Sequence, residues 1–235
     1  MHITRRSIMA GGAALALTSG RGLCATGPAP LVPARELAMI ETRSGGRMGV
    51  ALLDTQDGRR SSWNGTGRFA LSSTFKFLLA AAVLIRADAG EEQLEREIPV
   101  PARRLVPWSP ATEHNAGGTM PVSALCEAAV TLSDNTAANL LLQTMGGPRG
   151  FTRVLRAAGD SVTRLDRVEP DLNEAKRGDP RDTTTPDAML AAMQHLLLGD
   201  VLQPESRRML DGLLRANPTG GSRIRAGLPG DWQAG

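Results

Sequence analysis

The 235-residue sequence predicts an α+β chain, an early antiparallel hairpin followed by a long helical block. Three observations carry this. Asp57-Gly58 stands between two short stretches with strand character, the strongest short-range hairpin signal. The run Phe77-Leu78-Leu79-Ala80-Ala81-Ala82-Val83-Leu84-Ile85 is apolar nearly all the way round and rich in Ala and Leu, which describes a helix buried inside a domain. From Thr119 to Arg215 a succession of cap and stop residues marks off one helix after another.

In chain order, residues 1–25 read as an export signal. Arg5-Arg6 precede a small, apolar stretch from Ala10 to Thr18, a cleavage position follows Ala25, and the paired arginines point to the twin-arginine route. The segment is too short and too Gly-rich to span a bilayer. Cys24 raises lipid attachment, but Arg21-Gly22-Leu23 is a poor match to a lipoprotein cleavage box. The signal carries three of the 27 Lys plus Arg and no acid, so 24 basic side chains face 24 acidic ones in residues 26–235. That balance offers no basic patch for nucleic acid. Cys126 is then the one cysteine left, in an apolar segment, and a buried free thiol is expected. His2, His114 and His195 are scattered, without the spacing of a zinc site.

Pro33 to Thr42 predicts an amphipathic helix closed by Gly45-Gly46. Met48 to Asp54 predicts a strand and Ser62 to Gly65 its return, a pair that needs more sheet to be stable. Thr119-Met120-Pro121 opens a helix to about Leu132. The turn Ser133-Asp134-Asn135 follows, with Asn135 as cap of a helix from Thr136 to Met145 that Gly146-Gly147 end. Further helices are predicted over Pro148 to Ala158, from Thr185-Pro186 to Leu198, and over Pro204 to Arg215. Residues 161–184 show neither period. So long an irregular segment is either a solvated surface loop or a functional one whose charges, Arg164, Asp166, Arg167, Glu174, Asp179, Arg181 and Asp182, pair across its neck.

Ser73-Thr74-Phe75-Lys76 opens the buried helix. Three residues are most of one helical turn, so Lys76 lies on the face of Ser73 and within reach of its oxygen. The pair reads either as an N-cap Ser followed by an unrelated Lys, or as a nucleophile and proton acceptor held together without histidine. Lys76 and Lys176 are the only lysines among the 27 basic residues. Lys, unlike Arg, can lose its proton when buried, which favours chemistry at position 76.

Ser73-x-x-Lys76, Ser133-Asp134-Asn135 and Glu169 within Arg164–Asn173 come in order, 60 and then 36 residues apart. Together with Val106-Pro107-Trp108 and Asp182-Thr183-Thr184, they resemble the class A serine β-lactamases. The resemblance runs from about Leu31 to the last residue. It implies an α+β or α/β fold of the serine β-lactamase and penicillin-binding-protein kind, with an all-α subdomain at about residues 72–215 plus an antiparallel sheet flanked by helices, within a domain spanning residues 26–235. The family's K-T-G strand would begin where this sequence stops at Gly235, so the resemblance implies an incomplete sheet and an inactive chain as printed.

Carried over by residue, the resemblance makes Ser73 the nucleophile, Lys76 its proton partner, and Ser133 the relay to the leaving nitrogen. Glu169, with Asn173, would hold the water that frees the enzyme. Asn135, Trp108 and Arg223 would meet the substrate, and Arg167 with Asp182 would tie the loop. The substrate would be a β-lactam, the co-substrate water, with no metal or cofactor and no nucleic acid. The enzyme would be a monomer, periplasmic or secreted, without stable membrane insertion. Cys126 matches half of a disulfide found in some members, but its partner position holds Ala80, and Ser72 stands where certain carbapenem-hydrolysing members carry cysteine. The competing readings are a penicillin-binding transpeptidase or carboxypeptidase, which needs no water-activating Glu169, and a non-catalytic β-lactam-binding remnant.

Overall fold

The computed structural model describes residues 29–230 and Trp232; the predicted export signal and Cys24 lie outside them. The chain is α+β. Its helices are α1 (Ala34–Ser44), α2 (Phe75–Asp88), α3 (Pro110–His114), α4 (Val122–Thr131), α5 (Asn135–Thr144), α6 (Gly147–Ala157), α7 (Pro186–Leu198) and α8 (Pro204–Arg215). Three antiparallel two-stranded sheets accompany them. In the first, β1 (Val50–Leu53) pairs with β2 (Arg60–Trp63); in the second, β3 (Phe69–Ala70) with β6 (Thr183–Thr184); in the third, β4 (Glu97–Pro99) with β5 (Thr119–Pro121).

α2 is the centre of the core. Every residue from Phe75 to Leu84 is buried, and the helix packs against α4, α5, α6 and α8. A helix surrounded in this way can be apolar on all sides, which is why its sequence shows no polar stripe. Phe75 meets Phe151 of α6 edge to face, ring centroids 6.3 Å apart at 81°, an arrangement aromatic quadrupoles favour. Gly150 permits the close approach of α5 and α6, because a Cβ there would fall 1.6 Å from the Met145 carbonyl oxygen. Cys126 is free and fully buried, and Ala80 is buried too.

Several helix limits follow their local signals. α1 ends at Gly45 in the left-handed conformation, φ 69°, as a C-terminal glycine does. Thr185 caps α7 by accepting from Ala188 N–H at 3.2 Å, with Pro186 in the first turn. Three expectations are corrected. Thr119–Pro121 does not open α4; it is β5, paired with β4 in register Ile98↔Met120. The β2 return begins at Arg60 rather than Ser62, because Asp54 N–H donates to Arg59 O at 2.9 Å and prolongs the ladder. The cap of α5 is Asp134, not Asn135, which is the first residue of the helix. Among the described residues, no helix is long and apolar enough to cross a membrane.

Candidate active site

Ser73 lies in a 3-10 turn, Ser72–Thr74, that runs directly into α2. Ser72 takes a left-handed φ of 43°, and Ser73 is exposed while the helix behind it is buried. The hydroxyl therefore stands at the surface on a rigid base.

The second element is the bend from α4 to α5. Ser133 also has a positive φ, 57°, which turns the chain sharply. Asp134, wholly buried, holds that bend. One carboxylate oxygen accepts from Ala137 N–H at 2.8 Å and the other from Ala111 and Thr112 N–H, both at 2.9 Å, while Thr112 Oγ1 donates to the same group. A single carboxylate thus caps the N-termini of α3 and α5, where both the free N–H groups and the helix dipoles favour negative charge. Asn135 is anchored from the other side, its N–H donating to Trp108 O at 2.9 Å and its Nδ2 to Pro107 O at 2.8 Å. Trp108 is 69% exposed, with Nε1 donating to Leu132 O.

Lys76 joins these parts. Its Nζ lies 3.3 Å from Ser73 Oγ, 3.0 Å from Ser133 Oγ, 2.7 Å from Ser133 O and 2.6 Å from Asn135 Oδ1. Ser133 Oγ donates to Ser73 Oγ at 2.9 Å. The Lys76 side chain is 2% exposed, and burial pulls its pKa below the usual lysine value although the charges of Glu169 and Asp134 oppose the shift. Desolvation penalises the ammonium, which is what a lysine that trades protons requires.

Glu169 approaches from the loop. Its Oε1 lies 3.3 Å from Lys76 Nζ and accepts no hydrogen bond, while Oε2 accepts from Asn173 Nδ2 at 2.6 Å. Asn139 fixes the Glu169 backbone at both ends, Oδ1 accepting from its N–H and Nδ2 donating to its carbonyl, each at 2.9 Å. The neck of the loop is closed by charge. Asp182, 1% exposed, accepts from Arg167 Nε at 2.6 Å and from the backbone N–H groups of Asp166 and Arg167. Arg167 also pairs with Glu174. Asp182 O accepts from Leu71 N–H at 2.9 Å, so the neck is bonded to the strand that delivers Ser73.

A family model described as the beta-lactamase enzyme family matches residues 33–235. The chain belongs to the β-lactamase enzyme family. Over 205 residues it is 47% identical to beta-lactamase L2 of Stenotrophomonas maltophilia, covering 87% of this chain and 68% of that protein. Over 198 residues it is 48% identical to beta-lactamase AST-1 of Nocardia asteroides, covering 84% and 64%. The chain thus spans about two thirds of the length of these curated relatives. A solved ancestral class A β-lactamase superposes with TM-score 0.83 at 60% identity, over 85% of this chain and 77% of that one. A β-lactamase from Xanthomonas campestris gives 0.82 at 48%, over 85% and 74%.

Against this family background, the structure brings Ser73, Lys76, Ser133, Asn135, Glu169 and Asn173 into one connected group and puts Trp108 beside it through the Asn135 backbone. Arg223 is exposed in the segment after α8 and is not part of that hydrogen-bonded group. Two contributors escaped the sequence reading, Asp134 as the double cap and Asn139 as the clamp on Glu169. Asn139 stands one helical turn after Asn135 on α5, which puts both amides on one face but does not say what that face meets.

Proposed function

We propose that the complete protein hydrolyses the β-lactam amide of penicillin- and cephalosporin-type antibiotics through an ester on Ser73, conferring resistance to them. The observation that carries this is the contact of Ser73 Oγ with both Lys76 Nζ and Ser133 Oγ, with Glu169 Oε1 3.3 Å beyond the same amine. Lys76 in its neutral form takes the Ser73 proton as Oγ attacks the lactam carbonyl. The C–N bond breaks, Ser133 Oγ gives its proton to the leaving nitrogen, and Lys76 returns one to Ser133 across 3.0 Å. Thr74 and Phe75 N–H are taken up by Leu71 O and Ser72 O, so the Ser73 N–H ahead of them is the helix-end donor that suits the oxyanion.

Once Ser73 is esterified it cannot activate water, so turnover needs a second base. Glu169 fills that role: Asn173 and Asn139 set its position, and Oε1 remains available to take a proton from the attacking water. The ester then opens and Ser73 recovers its proton through Lys76. Nucleophile, acid and base are all side chains, so the cycle needs no metal or cofactor. Asn135, Trp108 and Arg223 are the substrate-facing residues of this reading, and Arg167 with Asp182 its loop tie. The protein would work as a monomer outside the cytoplasm, exported by residues 1–25.

Intact-mass spectrometry after mixing with a penicillin tests the reading. A transient adduct of the penicillin's mass is expected in the parent and none in Ser73→Ala. Adduct or unchanged turnover in that variant would overturn it.

A further inference from the structure

We propose that the space between the C-terminal end of α6 and the buried face of α7 binds a small organic ammonium ion bearing one ring. A cavity of about 150 Å³ lies there. Its walls include Leu155, Ala158, Val162, Ala188, Ala192 and Leu196. Half of these are alanine, so the cavity exists because the two elements meet through methyl groups rather than longer side chains. Gly159, Ser161 and His195 also line it and are exposed, which gives a molecule in solution a way in. An apolar cavity of about this volume takes one benzene ring.

The polar feature is Asp160 on the same lining. Its Oδ1 accepts from Val162 and Thr163 N–H at 2.8 and 2.9 Å, whereas Oδ2 is buried with no hydrogen-bond partner. Two other buried side-chain atoms among the described residues lack a hydrogen bond, Arg86 Nε and Glu169 Oε1. Each of those faces an opposite charge, Glu91 at 3.7 Å and Lys76 at 3.3 Å. Asp160 Oδ2 has no such ion pair. The nearby cation Arg156 is turned to the Asp160 carbonyl, Nη1 donating at 2.5 Å, rather than to its carboxylate.

A buried acceptor without a donor costs stability, and an empty apolar cavity forfeits contacts on its walls. A ring with an attached ammonium removes both defects, placing the ring among the alanines and an N–H on Oδ2 after a small turn of the side chain. A hydrocarbon of the same size fills the cavity but leaves Oδ2 without a donor, and an anion is repelled by Asp160. Occupancy should also tighten the loop neck, because Thr163 Oγ1 lies 2.7 Å from Thr184 Oγ1 and Arg164 N–H donates to Thr183 O at 3.1 Å. The site is separate from Ser73 and does not depend on the hydrolase reading.

The probe is benzylamine, titrated into the full chain by calorimetry and by amide NMR, with toluene and benzoate in parallel. Saturable benzylamine binding is expected about tenfold or more tighter than toluene, no binding of benzoate, and shifts confined to residues near 158–163 and 188–196. Asp160→Asn keeps an acceptor for the turn and should bring benzylamine down to the level of toluene. Ala192→Leu should fill the space and abolish both. Benzylamine binding no tighter than toluene, binding unaltered in Asp160→Asn, or shifts centred elsewhere would overturn the proposal.

Discussion

Lys76 Nζ stands 3.3 Å from Glu169 Oε1, and their side chains are 2% and 0% exposed. One buried amine therefore connects a helix and a loop 93 positions apart in sequence, the helix preceded by the hydroxyl proposed as nucleophile and the loop bearing the carboxylate proposed as base. A buried pair of this kind is a weak source of stability but is costly to break on one side.

The division of labour is separable. Glu169→Gln keeps the volume and the Asn173 contact but removes the base, so the Ser73 adduct should still form while its loss slows by about 10²–10⁴, the usual worth of general base catalysis. Stopped-flow and intact-mass time courses measure both rates. Equal adduct lifetimes in parent and variant would favour a penicillin-binding protein, whose chemistry has no use for Glu169.

Lys76 predicts a pH dependence of stability. Burial lowers its pKa from 10.5, so in the window between its folded value and 10.5 the unfolded chain binds more protons than the folded one. Stability then rises with pH through that window. Denaturant titrations should show the parent gaining on Lys76→Met between neutral pH and about pH 10, close to the ordinary lysine value. A parent that loses ground over this range would mean the Glu169 charge outweighs burial and the amine stays protonated.

Removing Asp134 uncaps two helices at once. With each cap worth roughly 1–2 kcal/mol, Asp134→Ala should lose about 3 kcal/mol by chemical denaturation, while Thr112→Val, which removes one hydroxyl contact, should lose about 1. A loss under about 1 kcal/mol for Asp134→Ala would refute the double-cap role, since that is what one ordinary cap contributes.

The neck of the loop should be acid-sensitive. Hydrogen bonds from Arg164 hold the Asp166 carboxyl below its usual value, Lys176 and Arg167 do the same for Glu174, and Arg181 holds Asp179 at about 2. For carboxylates depressed on folding, the stabilisation is complete above their ordinary values of 3.8 and 4.5 and fades as pH falls through the folded ones. Acid-resistant limited digestion should cut residues 161–184 sooner than α2 as pH drops below about 4, within the ordinary carboxylate range. Simultaneous loss of both regions would show that the loop has no separate acid weakness.

Cys126 gives an internal probe of unfolding. Burial pushes its thiol up to about 12, and only the thiolate reacts. A thiol reagent at neutral pH should label it at the rate of global opening, rising with denaturant; rapid labelling at Cys126 itself, read by peptide mapping apart from Cys24, would contradict its burial.

What the sequence determined by itself is local. A helical turn places positions three apart on one face, so Ser73 and Lys76 had to be neighbours once the 3-10 turn ran on into α2, and Thr185-Pro186 set the start of α7 without help from the rest of the chain. The closing of residues 161–184 was half legible, as a set of opposite charges whose pairing, Arg167 with Asp182 and with Glu174, needed coordinates to settle. β3, β4, β5 and β6 are only two or three residues long, too short to display a period of two. Their partners lie far away in sequence, so only packing could bring them together. Capping at Asp134 rather than Asn135 was decided the same way: either residue type caps a helix well, but a single buried carboxylate could also satisfy α3, and that second helix end is supplied by the tertiary fold. Asn139 belongs to the same class. Nothing local tells an asparagine on α5 that the backbone of Glu169 will arrive 30 residues later with one N–H and one C=O to satisfy.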